Sequence, residues 1–231
     1  MGADRIQSGR VAIVTGGSRG IGAATAKHLC SLGARVAITY RVAAAEAQAV
    51  VSDMAAAGGE GLAAQLDISQ PSGCGAVVAD VMARWGRIDI LVNNAGVFVQ
   101  RRLEDVDAAL FDTLFHTNVL GPLTMIQACL PHLGEGGRII NVLSTLAIDP
   151  SQSNALYGAT KAALRALTQG YAKDLGRRGA TINAVAPGVV LTDMMKDAPA
   201  AALAQIARET AAGRVAEPGD IAPIIGFLAS P

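Results

Sequence analysis

Aromatic residues are scarce in this chain: they make up 3% of it, and Trp85 is the one tryptophan. No basic block and no alternation of basic with aromatic residues occurs, and 19 basic residues are balanced by 19 acidic ones. That pattern argues against nucleic acid or an acidic membrane surface as partner. Cysteine is equally sparse. Cys30, Cys74 and Cys129 are far apart and odd in number, which fits neither a disulfide framework nor a metal site and points to a reducing compartment. His28, His116 and His132 share no ligand spacing, so no metal is expected. No uninterrupted apolar run approaches the roughly 18 residues of a membrane span. The start, M-G-A-D-R-I-Q-S-G-R, lacks the apolar core of a signal peptide, and Gly2 is followed by Ile6 where a myristoylation signal wants Ser or Thr. A soluble, cytoplasmic protein is the expectation.

What the chain does have is apolar residues, 51% of 231, cut into short runs separated by longer helical patterns. Strands are expected over 10–15, 34–40, 60–66, 87–93, 137–143 and 180–186. Helices are expected over 20–31, 43–57, 72–85, 107–130, the stretch from Tyr157 to about 175, 198–211 and 218–229. Strands alternating with helices imply one α/β domain over 1–231, a parallel sheet covered on both faces. In such a sheet ligands bind beyond the carboxyl ends of the strands. The residues just after each strand are therefore the ones to read for chemistry.

After the first strand stands T-G-G-S-R-G-I-G, in which Gly16, Gly20 and Gly22 permit a tight turn against the next helix. Backbone amides there would cradle a dinucleotide phosphate, with Ser18, Arg19 and Ile21 in the same loop; a bare Gly-rich turn is the other reading. After the second strand come Tyr40 and Arg41, where an NAD-binding chain usually carries an acidic residue. Arg19 and Arg41 would bracket a 2′-phosphate, favouring NADP(H) over NAD(H), unless both are merely solvated. Asp67-Ile68 stands where an adenine edge would lie, or Asp67 caps the next helix. Asn93-Asn94-Ala95-Gly96 either admits a ribose or forms an Asn-Gly turn. Asn118 interrupts an apolar helix and either kinks it or binds a water. Pro187, Gly188, Val190 and Thr192 line the nicotinamide or simply end the sixth strand.

The stretch from Ser144 to Lys161 carries the reactive groups. Tyr157 and Lys161 are one helical turn apart and share a face. Ser144 ends the apolar run G-R-I-I-N-V-L. A phenol ordinarily titrates near pH ~10, and a nearby ammonium lowers that value. Tyr157 is therefore expected to be made proton-labile by Lys161, with Ser144 holding a carbonyl oxygen in line. The plain alternative is a packed tyrosine beside a surface lysine. Asp149 reads as a turn residue and Trp85 as helix-end packing.

Taken in order, T-G-G-S-R-G-I-G, N-N-A-G, Asn118, Ser144, Y-G-A-T-K and P-G resemble the short-chain dehydrogenase/reductase family from about Arg10 to Ser230. A-L-Y-G-A-T-K-A-A-L and T-I-N-A-V-A-P-G are closest in texture to its 3-oxoacyl-carrier-protein reductases. The resemblance implies a Rossmann-type doubly wound parallel sheet and a nicotinamide cofactor, for which the two arginines favour NADP(H) and leave NAD(H) open. It implies Tyr157 as general acid in reduction and base in oxidation. Lys161 would lower the Tyr157 value and hold the ribose, Ser144 would orient the substrate oxygen, and Asn118 would hold a relay water. It also implies a homotetramer or homodimer in which the Ala-rich Tyr157 helix packs on a symmetry mate. Family members continue after F-L-A-S-x with a further strand and a glycine-rich tail; this sequence stops at Pro231, so that final strand either lies beyond it or is absent.

The expected activity is NADPH-dependent reduction of a ketone to a secondary alcohol, or its reverse. A non-catalytic NADP(H) sensor or scaffold on the same fold is the alternative, as is an isomerase or lyase. Segments 97–103 and 189–202 shape the pocket. Phe98, Leu191, Met194 and Met195 favour an apolar substrate over a sugar. The second segment, extending to about 212, reads as a lid after the Gly188 hinge.

Overall fold

Strands buried on both faces set the architecture. Val11–Val14 (β1) has every side chain buried, as a strand between two helical layers must. The computed structural model describes residues 6–195 and 198–231. Gly2 lies outside them, as do Lys196 and Asp197 of the expected lid and the side chain of Met194.

β1 is followed by α1 (Gly20–Ser31), β2 (Arg35–Tyr40), α2 (Ala44–Ala56), β3 (Gly61–Gln65), α3 (Ser72–Trp85) and β4 (Ile90–Asn93). Then come α4 (Ala108–Phe115), α5 (Gly121–Cys129), β5 (Arg138–Val142), α6 (Ala155–Gly176), β6 (Thr181–Val185), α7 (Ala200–Glu209) and α8 (Pro218–Leu228). The sheet order is β3-β2-β1-β4-β5-β6, parallel throughout. This is the Rossmann-type doubly wound arrangement, and β6 pairs with β5 alone in the described sheet.

Alternation along each strand feeds two cores. Val11, Ile13, Leu91 and Ile139 pack with Met125 of α5 and Leu175 of α6. Ala12, Val14, Ile90 and Ile140 pack with Leu29 of α1, Met54 of α2 and Ile225 of α8. A one-residue slip of any strand would exchange these sets. β1 and β4 are neighbours in space but not in sequence, so the chain leaves them toward opposite faces and opens a crevice at their carboxyl ends.

The single helix expected over 107–130 is broken. Asp107 caps α4 by accepting from the Leu110 amide at 2.7 Å, and a π-helical turn occupies His116–Leu120 before α5. Pro122 explains the break. It has no N–H to give the Asn118 carbonyl one turn earlier, and its ring crowds that carbonyl. The backbone widens instead, and the Gly121 amide bonds the carbonyl of His116. Among the described residues no helix is long and apolar enough to cross a membrane, and no cluster of ligand side chains is placed to hold a metal.

Candidate active site

The Gly-rich turn lies at the carboxyl end of β1. Gly16 takes φ +64° and Gly20 φ +55°, conformations open to glycine. A side chain at Gly22 would strike the Gly16 carbonyl and the Asn94 amide. Asn94 Nδ2 donates to the carbonyls of Thr15 and Gly16, both at 3.0 Å. Thr15 Oγ1 accepts the amides of Asn94 and Ala95, both at 3.0 Å. Thr15 was not among the expected site residues, yet it locks the turn to β4. The N-cap residue of α1, Arg19, makes no side-chain cap bond. The first-turn amides of α1 thus have no side-chain cap.

Asp67 does not cap α3, whose N-cap is Pro71. Its Oδ1 accepts from the Ser69 amide at 3.0 Å and from the Ser69 hydroxyl at 2.7 Å, which hold its carboxyl below the usual range. Ile68 is buried beside it. Arg41 is exposed and lines a cavity of about 600 Å³ with Ser69, Pro71, Asp112, His116 and Leu120. Arg19 does not stand free. Its Nη1 pairs with Oδ2 of Asp193 at 3.2 Å. Tyr40 is half-buried at the end of β2.

Ser144, Tyr157 and Lys161 converge beyond β5. Ser144 sits in extended backbone just after the strand, its Oγ accepting the Leu146 amide at 3.2 Å. That hydroxyl also bonds the Tyr157 phenol. Lys161 is 4% exposed and donates to the carbonyl of Val142 at 2.8 Å. Its Nζ lies 5.8 Å from the centre of the Tyr157 ring. Phe98 meets that ring edge-on with centroids 4.9 Å apart, fixing its tilt.

Burial, not the lysine, governs the phenol. Desolvation pushes the Tyr157 hydroxyl up to about 12, and the Ser144 bond offsets only part of this. Desolvation also pulls the Lys161 ammonium down to about 8. The expectation of a phenol made labile by its cation is thus corrected: burial raises the phenol, and the contribution that lowers it comes from Ser144 and not from Lys161. In this state Tyr157 is a neutral donor over the whole physiological range.

Asn118 is fully buried and its amide is spent on protein. Oδ1 accepts the Val97 amide at 2.8 Å, while Nδ2 donates to the Val97 carbonyl at 2.9 Å and to Thr160 Oγ1 at 3.1 Å. Thr160 donates in turn to the Tyr157 carbonyl at 2.7 Å. The side chain therefore ties the 97–103 loop to α6. Gly96 lies against this group: an added Cβ would be 3.1 Å from Asn118 Oδ1 and 3.6 Å from Lys161 Nζ. Thr160 is a second residue the motifs did not single out, though a threonine three residues after the tyrosine can bond back along the helix.

A buried polar ladder runs beneath the site. Asn93 Nδ2 donates to Asn141 Oδ1 at 2.9 Å, Asn141 Nδ2 to Thr168 Oγ1 at 2.9 Å, and Thr168 to the Leu164 carbonyl at 2.8 Å. It couples β4 and β5 to the helix carrying Tyr157 and Lys161.

On the far side, the Pro187 carbonyl accepts the Thr145 amide at 2.9 Å and Gly188 is open. Val190 is buried and bridges Ala216. Thr192 lies over the Gly-rich turn, its methyl 3.1 Å from where a Gly20 Cβ would be. Leu191 is 40% exposed, and α7 buries none of its residues.

The model of the family described as short chain dehydrogenase matches residues 10–202. The chain belongs to the short-chain dehydrogenase family. As a short-chain dehydrogenase it is an oxidoreductase, and its relatives agree. An uncharacterized oxidoreductase of Methylorubrum extorquens is 41% identical over 225 residues, 96% of this chain and 91% of that protein. A Burkholderia cenocepacia short chain dehydrogenase, solved in complex with NADP, is 43% identical with a TM-score of 0.91, covering 97% of this chain and 91% of that one. The landomycin C-6 ketoreductase LanV, solved with bound NADP and rabelomycin, is 34% identical with a TM-score of 0.88, covering 97% of this chain and 90% of that one.

Proposed function

We propose that this short-chain dehydrogenase reduces a ketone to a secondary alcohol with NADPH, or runs the reverse reaction, in the manner of the 3-oxoacyl reductases its motifs resemble. The observation that carries the reading is the meeting of Ser144, Tyr157 and Lys161 at the sheet's carboxyl edge. Two features of the site fit a nicotinamide dinucleotide. The α1 amides at the Gly-rich turn carry no side-chain cap. Gly96 lets the backbone pass close to the Lys161 ammonium and Asn118. Gly16, Ser18, Gly20, Ile21 and Gly22 would hold its pyrophosphate, Asp67 and Ile68 its adenine, and Asn94, Ala95, Gly96 and Lys161 its ribose. Arg19 and Arg41 would take the 2′-phosphate, with Pro187, Gly188 and Thr192 by the nicotinamide. That the relative from Burkholderia cenocepacia and LanV were solved with NADP supports the preference over NAD(H).

The bound cofactor supplies the hydride. The chain supplies position and the proton. Ser144 donates toward the substrate oxygen, and Tyr157, held neutral by burial, releases its proton to that oxygen as charge develops there. Lys161, fixed by Val142, places a cation near the resulting phenolate. Phe98 and Leu191 supply apolar walls suited to an apolar ketone. The rest of the proposal is a single domain acting as a cytoplasmic homodimer or homotetramer.

Replacing Tyr157 with Phe tests it. Turnover of a ketone panel with NADPH should fall by roughly 10²–10⁴-fold, with NADPH affinity unchanged. Retained turnover rejects the role; tight NADPH binding by the unaltered chain with no turnover of any ketone favours the sensor reading.

A further inference from the structure

The guanidinium expected to hold the cofactor's 2′-phosphate is engaged with a carboxylate. Arg19 Nη1 lies 3.2 Å from Asp193 Oδ2, and the two side chains are 60% and 61% exposed. Asp193 is held at that position from behind. The Val190–Ala216 bridge and the bond from the Leu191 amide to the Ala216 carbonyl at 2.8 Å anchor the base of its segment. Thr192 seats its methyl against Gly20, one residue beyond Arg19. The carboxylate is therefore delivered to the Gly-rich turn by contacts on both sides.

We propose that Asp193 sets this chain's discrimination between phosphorylated and unphosphorylated dinucleotides by competing with the 2′-phosphate for Arg19. The inference rests on the NADP(H) reading above. One cation faces two anions. A 2′-phosphate reaching the guanidinium must displace the carboxylate or meet a charge already half-neutralised. A 2′-hydroxyl brings no anion and meets no competition. The apparent affinity for NADPH is lowered by the fraction of molecules in which Arg19 is paired, while that for NADH is not. Because the pair is exposed and singly bonded, the handicap is modest and screened by salt. Asp193 thus acts through Arg19 as a specificity residue without touching the reacting atoms.

Calorimetric titration of the whole chain with NADPH and with NADH separates the outcomes. Asp193→Asn should tighten NADPH by roughly two- to five-fold and leave NADH unchanged, which also shows that the variant is folded. In an Arg19→Ala background the same substitution should do nothing to NADPH. If Arg19→Ala weakens NADPH but Asp193→Asn does not tighten it, the competition is refuted and the cofactor reading survives. Tightening that persists without Arg19, or that extends equally to NADH, also refutes it. If neither Arg19→Ala nor Arg41→Ala weakens NADPH more than NADH, the NADP(H) reading fails and this inference fails with it.

Discussion

The Lys161 ammonium donates a 2.8 Å hydrogen bond to the carbonyl of Val142, the last residue of β5. A cation on a helix is thereby anchored to the end of a strand, within a site dry enough to bring its pKa down to about 8. The ammonium and the phenol are consequently displaced in opposite directions by the same burial.

That displacement predicts a pH profile. In the proposed mechanism reduction needs Tyr157 protonated, which holds up to about 12, and Lys161 charged, which holds only below about 8. The rate of ketone reduction should fall as pH rises through about 8. In Lys161→Arg, whose cation does not titrate there, that alkaline limb should vanish, whatever activity remains. The effect on folding has its own sign. The Lys161 value is depressed in the folded chain, so the unfolded chain holds the extra proton between about 8 and the ordinary 10.5. This site's contribution to stability therefore rises with pH across that window. A profile flat to pH ~10, beyond the displaced lysine value, would contradict both statements.

Pro122→Ala restores the N–H that Asn118's carbonyl lacks. The π turn at His116–Leu120 should then relax toward α-helix, carrying Asn118 away from Val97 and Thr160. Melting temperature should hold or rise, while kcat drops by about tenfold or more, the scale a misplaced positioning group costs. Unchanged kcat would detach the break in this helix from the chemistry.

Gly96→Ala puts a methyl 3.1 Å from Asn118 Oδ1 and 3.6 Å from Lys161 Nζ. Small adjustments accommodate it, so melting should shift by only about 1 °C, the scale of a few tenths of a kcal/mol. The methyl crowds the Lys161 ammonium proposed to hold the ribose, and NADPH and NADH should both weaken by roughly tenfold or more, about 1.4 kcal/mol. Equal affinity in the variant would move the ribose elsewhere.

Thr168→Val cuts the buried ladder and strands the Asn141 amide. Loss of a partner by a buried donor costs about 1–3 kcal/mol, readable as a lower denaturant midpoint at constant slope. A change below ~0.5 kcal/mol would mean that Asn141 finds another acceptor.

Most of the fold was legible because burial on both faces leaves unbroken apolar strands, as in V-A-I-V, and because glycines such as Gly86 mark where helices stop. The break at Asn118 was half-legible: the polar residue stood out, but its cause is Pro122, one turn further on. Arg19 and Asp193 are 174 residues apart, and no local pattern joins them. Nor does spacing report depth. Tyr157 and Lys161 sit a turn apart in the sequence, yet the direction of the tyrosine's pKa follows from how much protein covers it. Thr15 and Thr160 escaped notice because their work is on backbone groups of other elements, which a motif does not display.

The ladder from Asn93 through Asn141 to Thr168 hangs the helix of Tyr157 and Lys161 from the interior of the sheet. Residues 189–195 and 198–212 bear none of that suspension, whereas Val97 and Phe98 are tied to the tyrosine's helix and ring. Exchange of the 189–195 and 198–212 border can therefore change which molecules fit while Tyr157 stays aligned, a division of labour that leaves selectivity free to drift.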